Sequence, residues 1–143
     1  MRNPEFYSAV FWIICDSEWK ILFQKRQNTW YMDRWYQLPS GHLEGTETME
    51  EWLIRELKEE IGISPTSLKI SHITHRNAGD RVYFNIFAEI FTYDGEIQNL
   101  EPEKCSELRF IDIENDDTSN IVPYNLEVLD WIKNGISLWE QTL

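Results

Sequence analysis

Gly41–Ile63 reads GHLEGTETMEEWLIRELKEEIGI, and the spacing of its glycines and charges decides the fold. Gly41 is followed after five residues by Glu47, and Glu47 after seven by Arg55; Glu56, Leu57, Glu59, Glu60, Gly62 and Ile63 complete the pattern. Within it the spacing predicts a helix over about Thr48–Ile61. Thr48 is the N-cap, with Glu51 three residues on completing a capping-box pattern. Gly62 is the stop, because the residue past a helix end often needs a left-handed backbone. Leu53, Ile54, Leu57 and Ile61 recur at helical spacing and form the stripe that faces a core.

Glu56, Glu59 and Glu60 share another face of the same helix, at i, i+3 and i+4. Helix energetics oppose this twice. Like charges at i,i+4 repel by a few tenths of a kcal/mol, and the helix C-terminus prefers cations. A solvated acidic face is the ordinary account of a Glu-rich helix; the Gly41–Glu47–Arg55 framework around this one favours a bound cation instead. An all-carboxylate donor set suits a hard divalent ion, Mg²⁺ or Mn²⁺. Arg55 is either a surface partner of Glu59 or the residue that orients a ligand carboxylate, and the framework favours the second.

Outside this stretch, 143 residues suffice for a single domain, taken as 1–143. A 42% hydrophobic share with 7 Trp, 6 Tyr and 7 Phe indicates a folded globule. The net charge of −12 argues against a duplex nucleic-acid partner. It would also repel free phosphates, so a polyanionic substrate needs a cation as adaptor. Glu44–Glu60 concentrates the effect, with seven Glu against Arg55 and Lys58, a local net of −5. Cys15 and Cys105 show no metal-ligand spacing and are expected to be buried thiols in a reducing cytoplasm. Phe6–Cys15 is apolar but too short to cross a bilayer. With only Arg2 ahead of it and no cleavage site, it reads as a first strand rather than a signal peptide.

Lys20–Gln27 is expected to be a second strand after an Asp16–Trp19 turn. A short strand and turn at Gln37–Gly41 lead into the helix. Leu68–Arg76 and Val82–Tyr93 read as a hairpin about Asn77–Asp80, and Glu107–Ile113 as a further strand. Pro123 opens a second helix to about Lys133. Strands on either side of one helix, with a second helix at the end, predict an α/β chain with a mixed sheet covered on both faces.

Gly41–Ile63 fits G-x5-E-x7-R-E-U-x-E-E-x-G-U, with U apolar, at all nine specified positions. In this the chain resembles the Nudix hydrolases, and within them the small MutT-like group. Weaker echoes lie at Leu22–Arg26, Asn28–Pro39, His75–Arg76, Arg81–Phe84, Asn99–Cys105 and Pro123–Tyr124. The resemblance implies the Nudix fold, an α/β/α sandwich with a mixed sheet and a loop–helix–loop catalytic motif. It implies metal-dependent hydrolysis of a nucleoside diphosphate linked to another group X, foremost a nucleoside triphosphate or an oxidised one such as 8-oxo-dGTP. A nucleotide sugar, ADP-ribose or a dinucleotide is the alternative substrate, and a non-catalytic nucleotide sensor the alternative role. A structural interaction domain is a third reading, which leaves the glutamates unexplained.

Carried across by position, the resemblance makes Glu56, Glu59 and Glu60 metal ligands together with the backbone carbonyl of Ser40. Glu47 would brace Arg55 or sit in the outer metal shell. Glu103, then Glu101, would supply a further acid, and Glu59 or Glu103 the general base. Lys25 or Arg26 would contact phosphates, and strand alternation lets only one of them face the site. Relatives tend to carry Gly at the positions of Trp30 and Arg34, so these mark a departure in the substrate region. Trp30, Tyr31, Trp35 and Tyr36 are candidates for base stacking, core packing or a dimer surface. His42 is a structural or pocket-edge residue rather than a ligand, while His75 lines the pocket or is structural. The expected partner is a nucleotide-type small molecule, with no membrane, in a monomer or homodimer.

Overall fold

A computed structural model describes residues 3–43 and 45–142; Arg2 and Glu44, which entered the arguments above, lie outside them. The chain runs β1 (Glu5–Ile14), β2 (Ile21–Arg26), β3 (Tyr36–Gln37), β4 (Ser40–His42), α1 (Met49–Ile61), β5 (Ser64–Asn77), β6 (Arg81–Asp94), β7 (Cys105–Ile111), α2 (Pro123–Lys133) and β8 (Leu138–Thr142). A five-stranded mixed sheet has the order β4-β1-β6-β5-β8, and a three-stranded sheet the order β3-β2-β7. Strand alternation divides the core in two. Val10, Trp12 and Ile14 of β1 and their parallel partners Ile86, Ala88 and Ile90 of β6 join Trp52, Leu53, Leu57 and Ile61 of α1. The intervening Ile13 and Phe87 face the other way, towards Val128 and Leu129 of α2. Both helices are thus held by a two-sided sheet, as the mixed pattern predicts. Each fully buried large apolar side chain contributes roughly 1.5–3 kcal/mol.

The ends of α1 are set as the sequence implies. Thr48 Oγ1 accepts the Glu51 N–H at 3.2 Å. Gly62 adopts φ 83°, and its N–H reaches the carbonyls of Leu57 and Lys58. The reciprocal arm differs from an ideal capping box, because the Glu51 carboxylate accepts a hydrogen bond from the Thr48 hydroxyl rather than from a backbone N–H. Thr48→Ala is expected to lower stability by about 1 kcal/mol, measured by urea unfolding, with little change in the chemistry at the far end of the helix.

Several boundaries depart from the sequence reading. β5 begins at Ser64 rather than Leu68, with its register against β6 shifting near Pro65, Ser67 and Ile70. β7 lies two residues earlier than expected because Asp112 Oδ1 captures the N–H groups of Glu114 and Asn115 and turns the chain. β8 was not foreseen; it pairs in parallel with β5 from Ile73↔Leu138 to Asn77↔Thr142. Trp131 of α2 stacks on Trp139 at 4.9 Å and carries the tail there. Cys105 is buried, but Cys15 is exposed, contrary to expectation, because it lies just past β1 at the turn that Asp16 organises. Among the described residues, no helix is long and apolar enough to cross a membrane.

Candidate active site

The C-terminal half of α1 forms one wall of a cleft of about 460 Å³. Glu56, Glu59 and Glu60 line it, opposite Ser40, Gly41 and His42 of β4, Gln24 and Arg26 of β2, and Glu101 and Lys104. The signature glycine has a packing reason. A Cβ on Gly41 would lie 3.1 Å from Glu56 Oε2 and 3.3 Å from the Trp12 ring. Glu56 therefore presses against bare β4 backbone and is only 9% exposed, although its neighbours on the helix face are more open. Trp52 donates its Nε1 to the His42 carbonyl at 2.9 Å, which pins the end of β4 to the helix.

Arg55 organises the carboxylates. Its Nε meets both Glu47 oxygens at 2.8 and 3.0 Å, and its Nη2 lies 2.7 Å from Oε1. Its Nη1 is shared between Glu56 at 3.1 Å and Glu59 at 3.2 Å. The hydrogen bond to Glu47 raises the Arg55 pKa above its already high value and holds the Glu47 carboxyl below its usual range. Glu47 thus braces Arg55 at the edge of the cluster. The surface i,i+4 pair with Glu59 is present too, as one contact among several.

Glu60 lies deeper. Burial, then the nearby charges of Glu101 and Glu56, push its carboxyl up to about 9. A hydrogen bond to Glu56 adds to the shift. Three like charges converging in low dielectric require a proton or a cation between them. No three acidic, thiol or imidazole groups among the described residues meet at metal-holding distance, since the Arg55 guanidinium draws Glu56 and Glu59 towards itself. The donor chemistry nevertheless fits a hard dication, with oxygen ligands only and the charges of Glu101 and Glu56 on Glu60 outweighing that of Lys104.

The loop after β6 brings Glu101 in. Gln98 N–H bonds the Ile61 carbonyl, Leu100 N–H the Glu60 carbonyl, and Asn99 Nδ2 the Cys105 carbonyl at 2.7 Å. Glu101 consequently lines the cleft, whereas the Glu103 side chain is exposed and outside the lining; only its carbonyl is engaged, by Asn28 Nδ2. Of the two loop acids, Glu101, expected second, is the one that the Asn99-centred turn faces into the cleft.

A second lobe of about 500 Å³ adjoins the first and shares Arg26, Gln37, Ser40 and His42 with it. Phe11, Tyr31, Tyr83 and Tyr124 give it aromatic walls, and Arg76, Asn85 and Asn125 its polar ones. Alternation in β2 sends Arg26 into both lobes and Lys25 out over the Tyr36 ring at 5.7 Å. Arg26 is committed to its own loop, donating to the Tyr31 carbonyl, Thr29 Oγ1 and Gln37 Oε1. His75 stacks on Phe84 at 5.0 Å and lines neither lobe. Tyr36 is buried in the core beneath α2.

Trp30 and Arg34 are also outside both linings, and Trp30 is fully exposed. Their backbones are more informative. Trp30 has φ 62° and Arg34 φ 71°, the left-handed region in which a side chain is strained. That is the physical reason glycine suits these positions. Arg34→Gly is expected to raise stability by about 0.5–1 kcal/mol, the relief of strain less the entropic cost of glycine, read by chemical unfolding.

Residues given no role from the sequence, including Gln24, Gln37, Asn99, Lys104, Asn85 and Asn125, come from five separate parts of the chain, the first four within the stretches noted for their resemblance. Strand alternation from Arg26 would have found Gln24; the others carry no local signal.

The chain belongs to the Nudix family, whose domain model matches residues 6–132. It is 39% identical over 64 residues to an RNA pyrophosphohydrolase of Pasteurella multocida, covering 43% of this chain and 29% of that protein. It is 35% identical over 69 residues to an 8-oxo-dGTP diphosphatase of Proteus vulgaris, covering 48% and 62% respectively. The matches thus span less than two thirds of either relative. The fold is shared with a MutT Nudix hydrolase from Burkholderia pseudomallei, at TM-score 0.77, 19% identity and coverage of 89% and 98% of the two chains. A MutT protein from Methanosarcina mazei gives TM-score 0.76 at 15% identity, covering 94% and 97%. The expected α/β sandwich of MutT-like type is therefore the fold found.

Proposed function

We propose that this chain is a divalent-cation-dependent pyrophosphohydrolase whose substrate is a nucleoside triphosphate or an oxidised form of one, acting as a cytoplasmic enzyme on small molecules. The observation that carries this reading is the continuity of the two lobes. An acidic lobe fit to hold a cation opens through Arg26, Gln37, Ser40 and His42 into an aromatic lobe large enough for a nucleoside. The names of the relatives, a pyrophosphohydrolase of RNA and a diphosphatase of 8-oxo-dGTP, share the same bond chemistry.

Glu56, Glu60 and Glu59, with the Ser40 carbonyl, would hold Mg²⁺ or Mn²⁺. When bound, the cation supplies charge neutralisation and Lewis acidity to the diphosphate. Arg55 holds the Glu56 and Glu59 carboxylates in place, and Glu47 holds Arg55. Water forms the new O–P bond as the bridging P–O bond breaks, and the bridging oxygen leaves with its phosphate. A glutamate at the cleft left out of the cation's ligand set takes the water's proton: Glu59, more than half exposed at the rim, or Glu101. Lys104 on the lip adds positive charge beside the phosphates.

A hydrolysis screen tests this reading, run with Mg²⁺ and Mn²⁺ over nucleoside triphosphates, oxidised nucleotides, ADP-ribose, nucleotide sugars and dinucleoside polyphosphates. Cation-dependent release of a nucleoside monophosphate and pyrophosphate, or of the diphosphate and phosphate, is expected from the triphosphates. Preferential cleavage of a nucleotide sugar, ADP-ribose or a dinucleotide would move the substrate assignment. Tight binding without cleavage across the panel would make the domain a sensor.

A further inference from the structure

Two arginines line the aromatic lobe, and they differ in what their donors do. Arg26 spends its guanidinium on Tyr31, Thr29 and Gln37. Arg76 lies over the Tyr124 ring at 4.6 Å, and its buried Nε has no hydrogen-bond partner among the described residues. That nitrogen is sealed from the lobe, but the rest of the guanidinium lines it, held over the Tyr124 ring. The shelf beneath it is fixed, because the Tyr124 hydroxyl accepts Asn85 Nδ2 at 3.2 Å. Asn125 is oriented by the same logic. The Leu38 N–H can only donate, and it takes Asn125 Oδ1 at 2.8 Å, which leaves the Nδ2 donor for the lobe. The Arg76 and Asn125 side of this pocket thus presents donors beside aromatic rings, while Asn85, its Nδ2 spent on Tyr124, keeps an acceptor there.

We propose that Arg76, held over the Tyr124 ring, selects the base by reading two adjacent acceptors on one edge of guanine, O6 and N7. A guanidinium fork matches that pair, and adenine offers a donor in place of O6. 8-Oxoguanine carries hydrogen on N7 and would also meet donor with donor. The assignment rests on the nucleotide reading above and narrows it to unoxidised guanine.

Gln141 supplies the competing explanation. It is the β8 residue in register with Arg76, and its buried Oε1 is likewise unpartnered. If Arg76 serves only to fasten β8, then removing Gln141 should reproduce the effect of removing Arg76.

The test is equilibrium binding of GMP, AMP, CMP and 8-oxo-GMP, by calorimetry or fluorescence, to the wild-type protein and the R76Q, R76K and Q141L variants. Monophosphates lack the diphosphate, so the result is independent of turnover. GMP is expected to bind about ten-fold or more tighter than AMP and 8-oxo-GMP, within the usual worth of a bidentate pair. R76Q and R76K should bring GMP down to the AMP level, and Q141L should leave the ratio unchanged. Equal binding of GMP and AMP, a preference for CMP or 8-oxo-GMP, or a ratio intact in R76Q would overturn the inference. So would a Q141L variant that loses the ratio as R76Q does. If the ratio behaves as expected while no triphosphate is hydrolysed, base selection stands and the hydrolase reading falls.

Discussion

Glu60→Gln should reduce hydrolysis by about a thousand-fold or more and, in EDTA at pH 8, make the protein more heat-stable than the wild type. The loss follows from removing a carboxylate from a cation site that supplies several kcal/mol of transition-state stabilisation, each 1.4 kcal/mol being worth a factor of about ten. The gain follows from linkage. The Glu60 carboxyl is pushed up to about 9 in the folded chain, from an ordinary 4.5, by burial and by Glu101 and Glu56. Between those values the folded protein keeps a proton that the unfolded chain releases. Stability is therefore fullest below about pH 4.5 on this account, and falls as pH rises towards 9, by at most about 1.4 kcal/mol per unit. Gln has nothing to titrate, so the melting temperature of the variant should depend less on pH and lie roughly 5 °C or more above wild type at pH 8. Calorimetry across pH 5–9 in EDTA measures it. A variant that is inactive and also less stable throughout would make Glu60 a structural residue.

Arg55→Lys should lower activity and cation affinity by about 10–100-fold, the usual cost of losing a residue that orients metal ligands. The charge survives this exchange but the geometry does not. Arg55 grips both oxygens of Glu47 through Nε and Nη2 while Nη1 spans Glu56 and Glu59. A lysine ammonium is a single point and cannot serve three carboxylates on two sides at once. Glu47→Gln should do similar damage, and the double variant should cost little more than either alone, because both act through one contact. Additive losses would separate Glu47 from the Arg55 pathway. Steady-state kinetics with Mn²⁺ titrations of all three variants decide between these outcomes.

Much of this was legible because the information is local. The cap at Thr48, the stop at Gly62 and the stripe Leu53–Leu57–Ile61 are written within one helix, and so is the carboxylate face. Gly41 was legible only as a matched position; that it makes room for Glu56 needed the packing of β4 on α1. The choice between Glu101 and Glu103 turned on a side-chain turn at Asn99, which no spacing rule records. β8 was missed because its residues are mostly exposed and its partner lies some 65 positions earlier. The aromatic lobe was the least legible part. Phe11, Arg76, Asn85, Tyr124 and Asn125 come from four elements and meet only when the sheet is assembled. Trp30 and Arg34 drew notice for their size, yet their significance lies in the backbone conformation they are forced to take.

The central claim is that water attacks a phosphorus of a nucleotide diphosphate group at the Glu56–Glu60 cleft with a divalent cation bound there. Incubating a nucleoside triphosphate with the protein and Mg²⁺ in ¹⁸O-labelled water, and weighing the products by mass spectrometry, tests it most directly. The account predicts one label in one phosphate-bearing product per turnover, abolished by EDTA and by Glu60→Gln. Label incorporation that persists in EDTA, or nucleotide bound and returned uncleaved and unlabelled, would contradict it.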